Sequence, residues 1–534
     1  MRRFYSFYYS FPKISTVILS VLIATIALVI WRINTPLGNF LGWDMYAHQH
    51  LFNELLRGHW AILPTNISDT FLINAYFPLF AIIVGLGKLT VPFLSFPIYY
   101  DFLDIFYFFA TIGVSLLLVR TVRKDLLSSL VIVIFSAFTF EAVVAQTAFF
   151  FIPQNLAALL VVLLLIWWLK NRRTMSLLLL FPIMMLHFVI GGFGWAVLFL
   201  TWMIQLAIIF FEKRKHSIKL LLISAFTIWL FAFGISFFLS LNPLGTNESV
   251  TFTFGLAEKY AYLLKSYSYL WLFYFIGIFS ILKGYKHKYN HEIIIAILSV
   301  FLVTAVILPL PYSLKFYTVA RYPVHVVMTI GVVYLLRQIQ NKRYQVFILA
   351  LLILTESTIL FYNQSEFKKA IAYKYSYATI SDLEYEAARY LQLAYPKDNS
   401  SVLLVSDPST QHILEATGGI NSQGGGFAVS ATRTIVNSAY PLTDSQKLRS
   451  ELWNVRDLVY PEQPSIVLFV VSGRFMSWQN VDDKFKYDEG YNIWSPKELN
   501  QLGINYILEL EEQEGFNTVF ENSAVVIFEV ARPQ

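Results

Sequence analysis

Between Gly42 and Gly58 the chain reads GWDMYAHQHLFNELLRG, which places Asp44, Tyr46, His48, His50, Glu54 and Arg57 side by side. A carboxylate such as Asp44 can take a proton from a hydroxyl held within hydrogen-bond reach. It can equally cap the helix that begins after it, because Asp is a favoured N-cap. Leu51, Phe52, Leu55 and Leu56 fall on one face of that predicted helix, as an amphipathic segment at a lipid surface requires. His48 and His50 are two residues apart and do not share a helical face, so they make a poor metal pair. His48 alone, one turn after Asp44, could contact a phosphate or pack its ring against lipid. Asp69, further along the same loop, reads as a pocket residue or as a solvated turn.

Other candidates are spread along the chain. Asp101 and Asp104, three apart, lie on one helical face. Glu141 is followed by Gln146 and the polar break Pro153-Gln154-Asn155. Carboxylate oxygens suit Mg or Mn, and the same groups could instead pair with Arg321, Lys315 or hydroxyls of other helices, so metal use stays open. His187, in MLHFVIGGFGW, is either a buried histidine satisfied by a neighbour or a pocket residue. Arg321 and Lys315 occur in PYSLKFYTVARYPVHV. A planar guanidinium matches phosphate oxygens, while the alternative is snorkelling toward headgroups. GGINSQGGG (418–426) lacks the Lys-Ser/Thr of a P-loop and the GxGxxG spacing, which favours a flexible turn. There is no HExxH and no serine-nucleophile motif, and the absence of cysteine excludes disulfides, zinc-thiolate sites and thiol nucleophiles.

The elements that must position these residues are set by composition. Of 534 residues 57% are hydrophobic and only 14% charged, against about 25% charged in soluble domains. A polytopic α-helical membrane protein is expected, and the net charge of +6 then reports topology rather than nucleic-acid binding. Apolar runs near 14–32, 98–119, 126–147, 155–169, 175–190, 195–211, 218–240, 268–283, 292–310, 322–338 and 344–362 predict about eleven spans. A further stretch, 71–94, is broken by Pro78, Gly85, Gly87, Lys88 and Pro92. If it does not span, the inner loops hold sixteen Lys or Arg and the outer segments six; a spanning 71–94 would invert that balance against the positive-inside rule. Residues 33–97 are therefore expected to form one outer loop containing an interfacial or re-entrant helix, with the N-terminus cytoplasmic. Residues 1–362 form the membrane domain, and 363–534 a C-terminal α/β domain outside the cell membrane. In that domain 377–395 and 445–459 read as helices, 401–406, 465–472 and 505–510 as strands, and the last residues as a hairpin turning at Glu521-Asn522-Ser523.

This layout resembles the GT-C superfamily of membrane glycosyltransferases, which includes protein O-mannosyltransferases, aminoarabinose transferases and oligosaccharyltransferases. The likeness rests on Gly42-Trp43-Asp44-Met45-Tyr46-Ala47-His48 after the first span, Tyr76-Phe77-Pro78-Leu79 opening an interfacial helix, Leu186-His187 in a mid-chain span, and Arg321-Tyr322 before a late span. Departures are the lack of a WWDYG sequence and Phe77-Pro78-Leu79 in place of Pro-Pro-Leu. The resemblance implies an Asp base at Asp44 and donor phosphate held by Arg321, with Lys315 beside it. Tyr46, His48, Asp69, Asp101, Asp104, Glu141 and His187 would line the pocket. It further implies inverting transfer of a sugar from a polyprenyl-phosphate donor to a glycan, lipid or protein acceptor on the outer face, with a divalent cation (Mg or Mn) as a candidate cofactor. A non-catalytic protein of the same layout, or a lipid or polysaccharide transporter, is the rival; transporters tend to show internal repeats and midplane charges, whereas here no repeat is visible and the charged residues cluster at the outer rim.

Overall fold

Inside a bilayer every backbone N–H and C=O must be satisfied within the protein, which makes helices the default for long apolar runs. The computed structural model is helical in that part of the chain among the described residues. It describes residues 14–33, 49, 52, 79–94, 96–139, 149–171, 178–213, 256–283, 290–307, 313–373, 380–395, 402–418, 435–459, 466–479 and 497–533. Packing divides the chain into two units, Met1–Pro36 with Phe102–Glu366, and Leu37–Asp101 with Phe367–Gln534.

The apolar helices are α1 (Ile14–Arg32), α2 (Leu79–Thr90), α3 (Phe96–Val122), α4 (Leu126–Phe138), α5 (Pro153–Asn171), α6 (Leu180–Leu186), α7 (Phe188–Lys213), α8 (Leu256–Tyr267), α9 (Leu270–Lys283), α10 (Asn290–Ile307), α11 (Tyr317–Gln338) and α12 (Lys342–Tyr373). Among the described residues, five are long and apolar enough to cross a membrane, six if α8 and α9, bent by 88°, count as one span. The predicted span 218–240 and the Gly-rich segment 419–426 lie outside the described residues. With 12 residues, α2 measures about 18 Å, well short of a hydrocarbon core of about 30 Å, and it begins directly after Pro78.

One predicted boundary is corrected. The sequence pattern placed a break at Gly191-Gly192, but α6 ends at Leu186 and α7 runs from Phe188 straight through the glycines. Gly191 serves packing instead of breaking the helix, whereas Gly192 faces open space. A Cβ on Gly191 would lie 2.5 Å from Met184 Cα, so only a bare backbone lets α7 approach α6 this closely.

The hub of the first unit is α11, which packs against α4, α5, α9 and α10; 89% of its crossing stretch is buried, against 17% for α12. The α9–α11 contact is set by two glycines facing each other. A Cβ on Gly331 would collide with the Phe273 carbonyl, and one on Gly277 with the Val327 carbonyl. At one end of the bundle, Arg123 pairs with Glu292 at 2.6 Å and Arg337 with Asp125 at 3.2 Å. Asp125 also caps α4 through Ser128 N.

In the second unit, α13 (Asp382–Ala394), α14 (Pro408–Gly418), α15 (Ser445–Val459), α16 (Gly473–Gln479) and α17 (Gln501–Glu511) accompany β1 (Val402–Val405), β2 (Ile466–Ser472), β3 (Phe516–Glu521) and β4 (Val525–Val530). The sheet order is β1-β2-β4-β3, with β1 and β2 parallel and the other pairs antiparallel. Side-chain alternation fills two cores. Leu403, Val405, Phe469, Val471, Phe528 and Val530 share one core with Leu452, Tyr506 and Leu510, and Leu404, Leu468, Val470 and Ile527 share the other with Ala388, Leu391 and Leu414. The hairpin turns where expected, Asn522 Oδ1 accepting from Ala524 N and Val525 N at 3.0 and 2.9 Å.

The stretch 505–510, read as a strand, is instead the end of α17. Asn500 caps it through Gly503 N, and Gly503, Tyr506, Ile507 and Leu510 are its buried residues, a helical spacing. A six-residue apolar run does not separate strand from helix by periodicity alone.

Just past the ends of β1 and β2 sits a buried polar network. Asp407 caps α14, accepting from Ser409 N and Thr410 N at 3.1 and 3.0 Å, and Ser472 Oγ donates to it at 3.2 Å. Arg474 grips Glu384 with two bonds of 2.5 and 3.0 Å, and Glu384 in turn closes the capping box of Ser381 at the start of α13.

Candidate functional site

Residues Asp104, Tyr107 and Thr111 recur along one side of α3, and α3 is held against the segment leading into α5 by polar contacts. Asp104 Oδ1 accepts from Phe151 N at 2.7 Å, Tyr107 Oη donates to Asn155 O at 3.3 Å, and Asn155 Nδ2 donates to Phe150 O at 2.8 Å. Asp101, one turn earlier, is buried as well. The two acids are thus enclosed, and Asp104 spends an oxygen on fixing backbone.

Arg321 enters from the first turns of α11. Its side chain is 2% exposed, and one terminal nitrogen donates to Tyr107 Oη at 3.3 Å, Thr111 Oγ1 at 3.4 Å and Tyr322 Oη at 3.4 Å. Its guanidinium carbon lies 5.0 Å from the centre of the Tyr322 ring, within cation–π range. Lys315 is half-buried in the short 3-10 turn Ser313–Phe316 immediately before α11. One helical turn beyond Arg321, His325 is buried, with the Tyr267 ring at 5.6 Å and the Phe135 ring at 6.5 Å. Its Nε2 has no hydrogen-bond partner among the described residues.

His187 is buried as well. It occupies the gap between α6 and α7, and its Nδ1 accepts from Ile190 N at 3.2 Å, so it closes the start of α7. Asp44, Tyr46, His48, Asp69 and Glu141 lie outside the described residues. Among the described residues no grouping of three or more His, Asp or Glu side chains is arranged to hold a metal ion.

Tyr107, Thr111 and His325 were not singled out from the sequence. The only signal was spacing: Tyr107 and Thr111 continue the Asp104 face at i+3 and i+7, and His325 sits four after Arg321. In helices this rich in aromatics, such spacing also fits a plain core.

The helical bundle, with a buried arginine at one end of its central helix, and the small α/β unit that follows it in sequence share their fold with solved structures of an oligosaccharyltransferase. The particular likeness is to the archaeal oligosaccharyltransferase AglB of Archaeoglobus fulgidus. Its complex with Zn and sulfate aligns with a TM-score of 0.52 at 13% identity over 86% of this chain and 69% of that one. The form tethered by a disulfide to an acceptor peptide containing the NVT sequon gives 0.52 at 13% over 97% and 74%. The complex with an inhibitory peptide and a dolichol-phosphate gives 0.50 at 12% over 86% and 70%. No family model matches the sequence, and no curated protein matches it. At this identity the likeness is one of fold.

Proposed function

We propose that this protein is a membrane glycosyltransferase that moves a sugar from a polyprenyl-phosphate carrier to an acceptor at the outer face of the membrane. The observation that carries the reading is the buried Arg321, oriented by three hydroxyls in a fold shared with a protein that has been captured with dolichol-phosphate.

In this reading the donor phosphate docks on Arg321, with Lys315 adding charge from the preceding turn. Asp44 accepts the proton of the acceptor nucleophile as it attacks the anomeric carbon from the side opposite the phosphate. The new bond forms as the carbon–oxygen bond to phosphate breaks, the configuration inverts, and the electron pair leaves on a phosphate oxygen whose growing charge faces the guanidinium. Tyr46, His48, Asp69 and Glu141 would contact the acceptor or sugar. Asp101, Asp104 and His187 contribute as structural supports of the pocket walls.

The test is transfer from a radiolabelled polyprenyl-phosphate sugar in membranes carrying the full chain. Arg321→Leu is expected to lower transfer by about 10²–10³-fold, the usual worth of a charge-stabilising donor, and Asp44→Asn by about 10²–10⁴-fold, that of a general base. Wild-type rates in both folded variants would end the proposal.

A further inference from the structure

The crossing stretch of α12 contains one acidic residue, Glu356. Around it the helix faces outward: Val346, Phe347, Leu354 and Tyr362 are each more than 60% exposed. Only Leu352, Glu356 and Leu360, spaced four apart, are buried on this part of the helix, at 8%, 2% and 0% exposure. An acid in the centre of the single row that a membrane helix turns toward its protein is costly and calls for a role.

Its partner is Tyr269, whose hydroxyl donates to Glu356 Oε1. Tyr269 stands at the elbow where α8 turns through 88° into α9. Ser268, immediately before it, has φ 45°, a left-handed conformation that a serine holds only where its surroundings impose it. Trp271 Nε1 bridges the bend to Leu263 O at 3.0 Å. Tyr267, on the other side of Ser268, packs its ring 5.6 Å from His325 and 5.7 Å from Tyr317. Both belong to the turns of α11 that carry Arg321.

We propose that Glu356 is a positioning residue: by holding Tyr269 it locks the α8–α9 elbow, and the elbow, through Tyr267 against Tyr317 and His325, sets the first turns of α11 and hence the guanidinium of Arg321. The proposal rests on the reading of Arg321 as the ligand of the donor phosphate, and goes beyond it by giving the last membrane helix a part in the site.

Because the chain has no cysteine, spin labels can be placed uniquely. Leu264→Cys on α8 and Phe279→Cys on α9, both at exposed positions, report the elbow distance in the full-length protein in lipid nanodiscs. A narrow distance distribution is expected in the parent. Glu356→Leu and Tyr269→Phe should each broaden it, the double variant no more than either, and Glu356→Gln, which keeps a carbonyl acceptor for Tyr269, should restore it. Affinity for a polyprenyl monophosphate should fall about three- to tenfold in the same two variants, the worth of one hydrogen bond, and recover in Glu356→Gln. If Glu356→Leu does not fold, Tyr269→Phe carries the test with the acid in place.

An unchanged elbow distribution in folded Glu356→Leu or Tyr269→Phe overturns the proposal, as does a broadened elbow with unchanged affinity. Arg321→Leu separates the underlying reading: unchanged affinity there removes the phosphate role of Arg321, while the elbow distances still report whether Glu356 and Tyr269 form the lock.

Discussion

Arg321 shows how a charged group can be kept deep in an apolar bundle at one chosen point. Hydroxyls supplied by Tyr107, Thr111 and Tyr322 fix the direction of the guanidinium. Tyr107→Phe removes one of these and also the bond to Asn155 O. Steady-state transfer kinetics should show a loss of about tenfold, the worth of one or two hydrogen bonds, carried mainly by a higher KM for the lipid donor. Asp407 is the contrasting case, an acid whose work is structural. Burial pushes its carboxyl above the usual range, opposed by hydrogen bonds from Thr410 and Ser472 and by the charge of Arg474. A raised folded-state pKa means that its contribution to stability is full below the unfolded value, about 3.9, and is lost as pH rises through the folded value. Asparagine caps a helix as well as aspartate and does not titrate. Thermal unfolding of the full-length Asp407→Asn variant from pH 4 to 8 should therefore show the parent losing ground to the variant as pH rises. Equal slopes would mean that Asp407 is not held in this way. Residue type and position made Arg321 a candidate in the sequence, with snorkelling toward headgroups as an equal alternative. Its partners were not legible, because tyrosine and threonine in an aromatic-rich helix look the same whether they hold a cation or fill a core.

At the scale of elements, apolar length marked most helices, since few other structures can carry twenty apolar residues. The strands Val402–Val405 and Ile466–Ser472 were legible as well, as short apolar runs. The errors came where one residue type serves two purposes. Gly191 was read as part of a break and turned out to be a contact point. The run at 505–510 was read as a strand because it is too short to display a helical period; of its four apolar residues only Leu508 faces outward. The glycines of α9 and α11 make the sharpest demand. Gly331→Ala pushes a methyl group into the Phe273 carbonyl, and overpacking of this kind costs about 1–3 kcal/mol. A lower melting temperature of the purified protein in detergent is the expected result, and an unchanged one would show that the helices can separate freely.

For the molecule as a whole, the ion pairs Arg123–Glu292 and Arg337–Asp125 join the ends of α3, α10, α4 and α11 on the side that the lysine and arginine balance assigns to the cytoplasm. Arg321 lies sixteen residues before Arg337 along α11, about 24 Å away, which is most of a bilayer. Single cysteines test this orientation. Asn341→Cys should resist a membrane-impermeant maleimide in intact cells, and Asp444→Cys, in the second unit, should react; the opposite pattern would invert the topology.

The length of α12 brings one more consequence. At 32 residues it extends about 48 Å, whereas the hydrocarbon layer takes up about 30 Å, so its final three turns rise from the membrane as a continuous rod. Shortening that overhang by a whole turn would leave the buried row of Leu352, Glu356 and Leu360 untouched, because a helix closes its own backbone hydrogen bonds turn by turn.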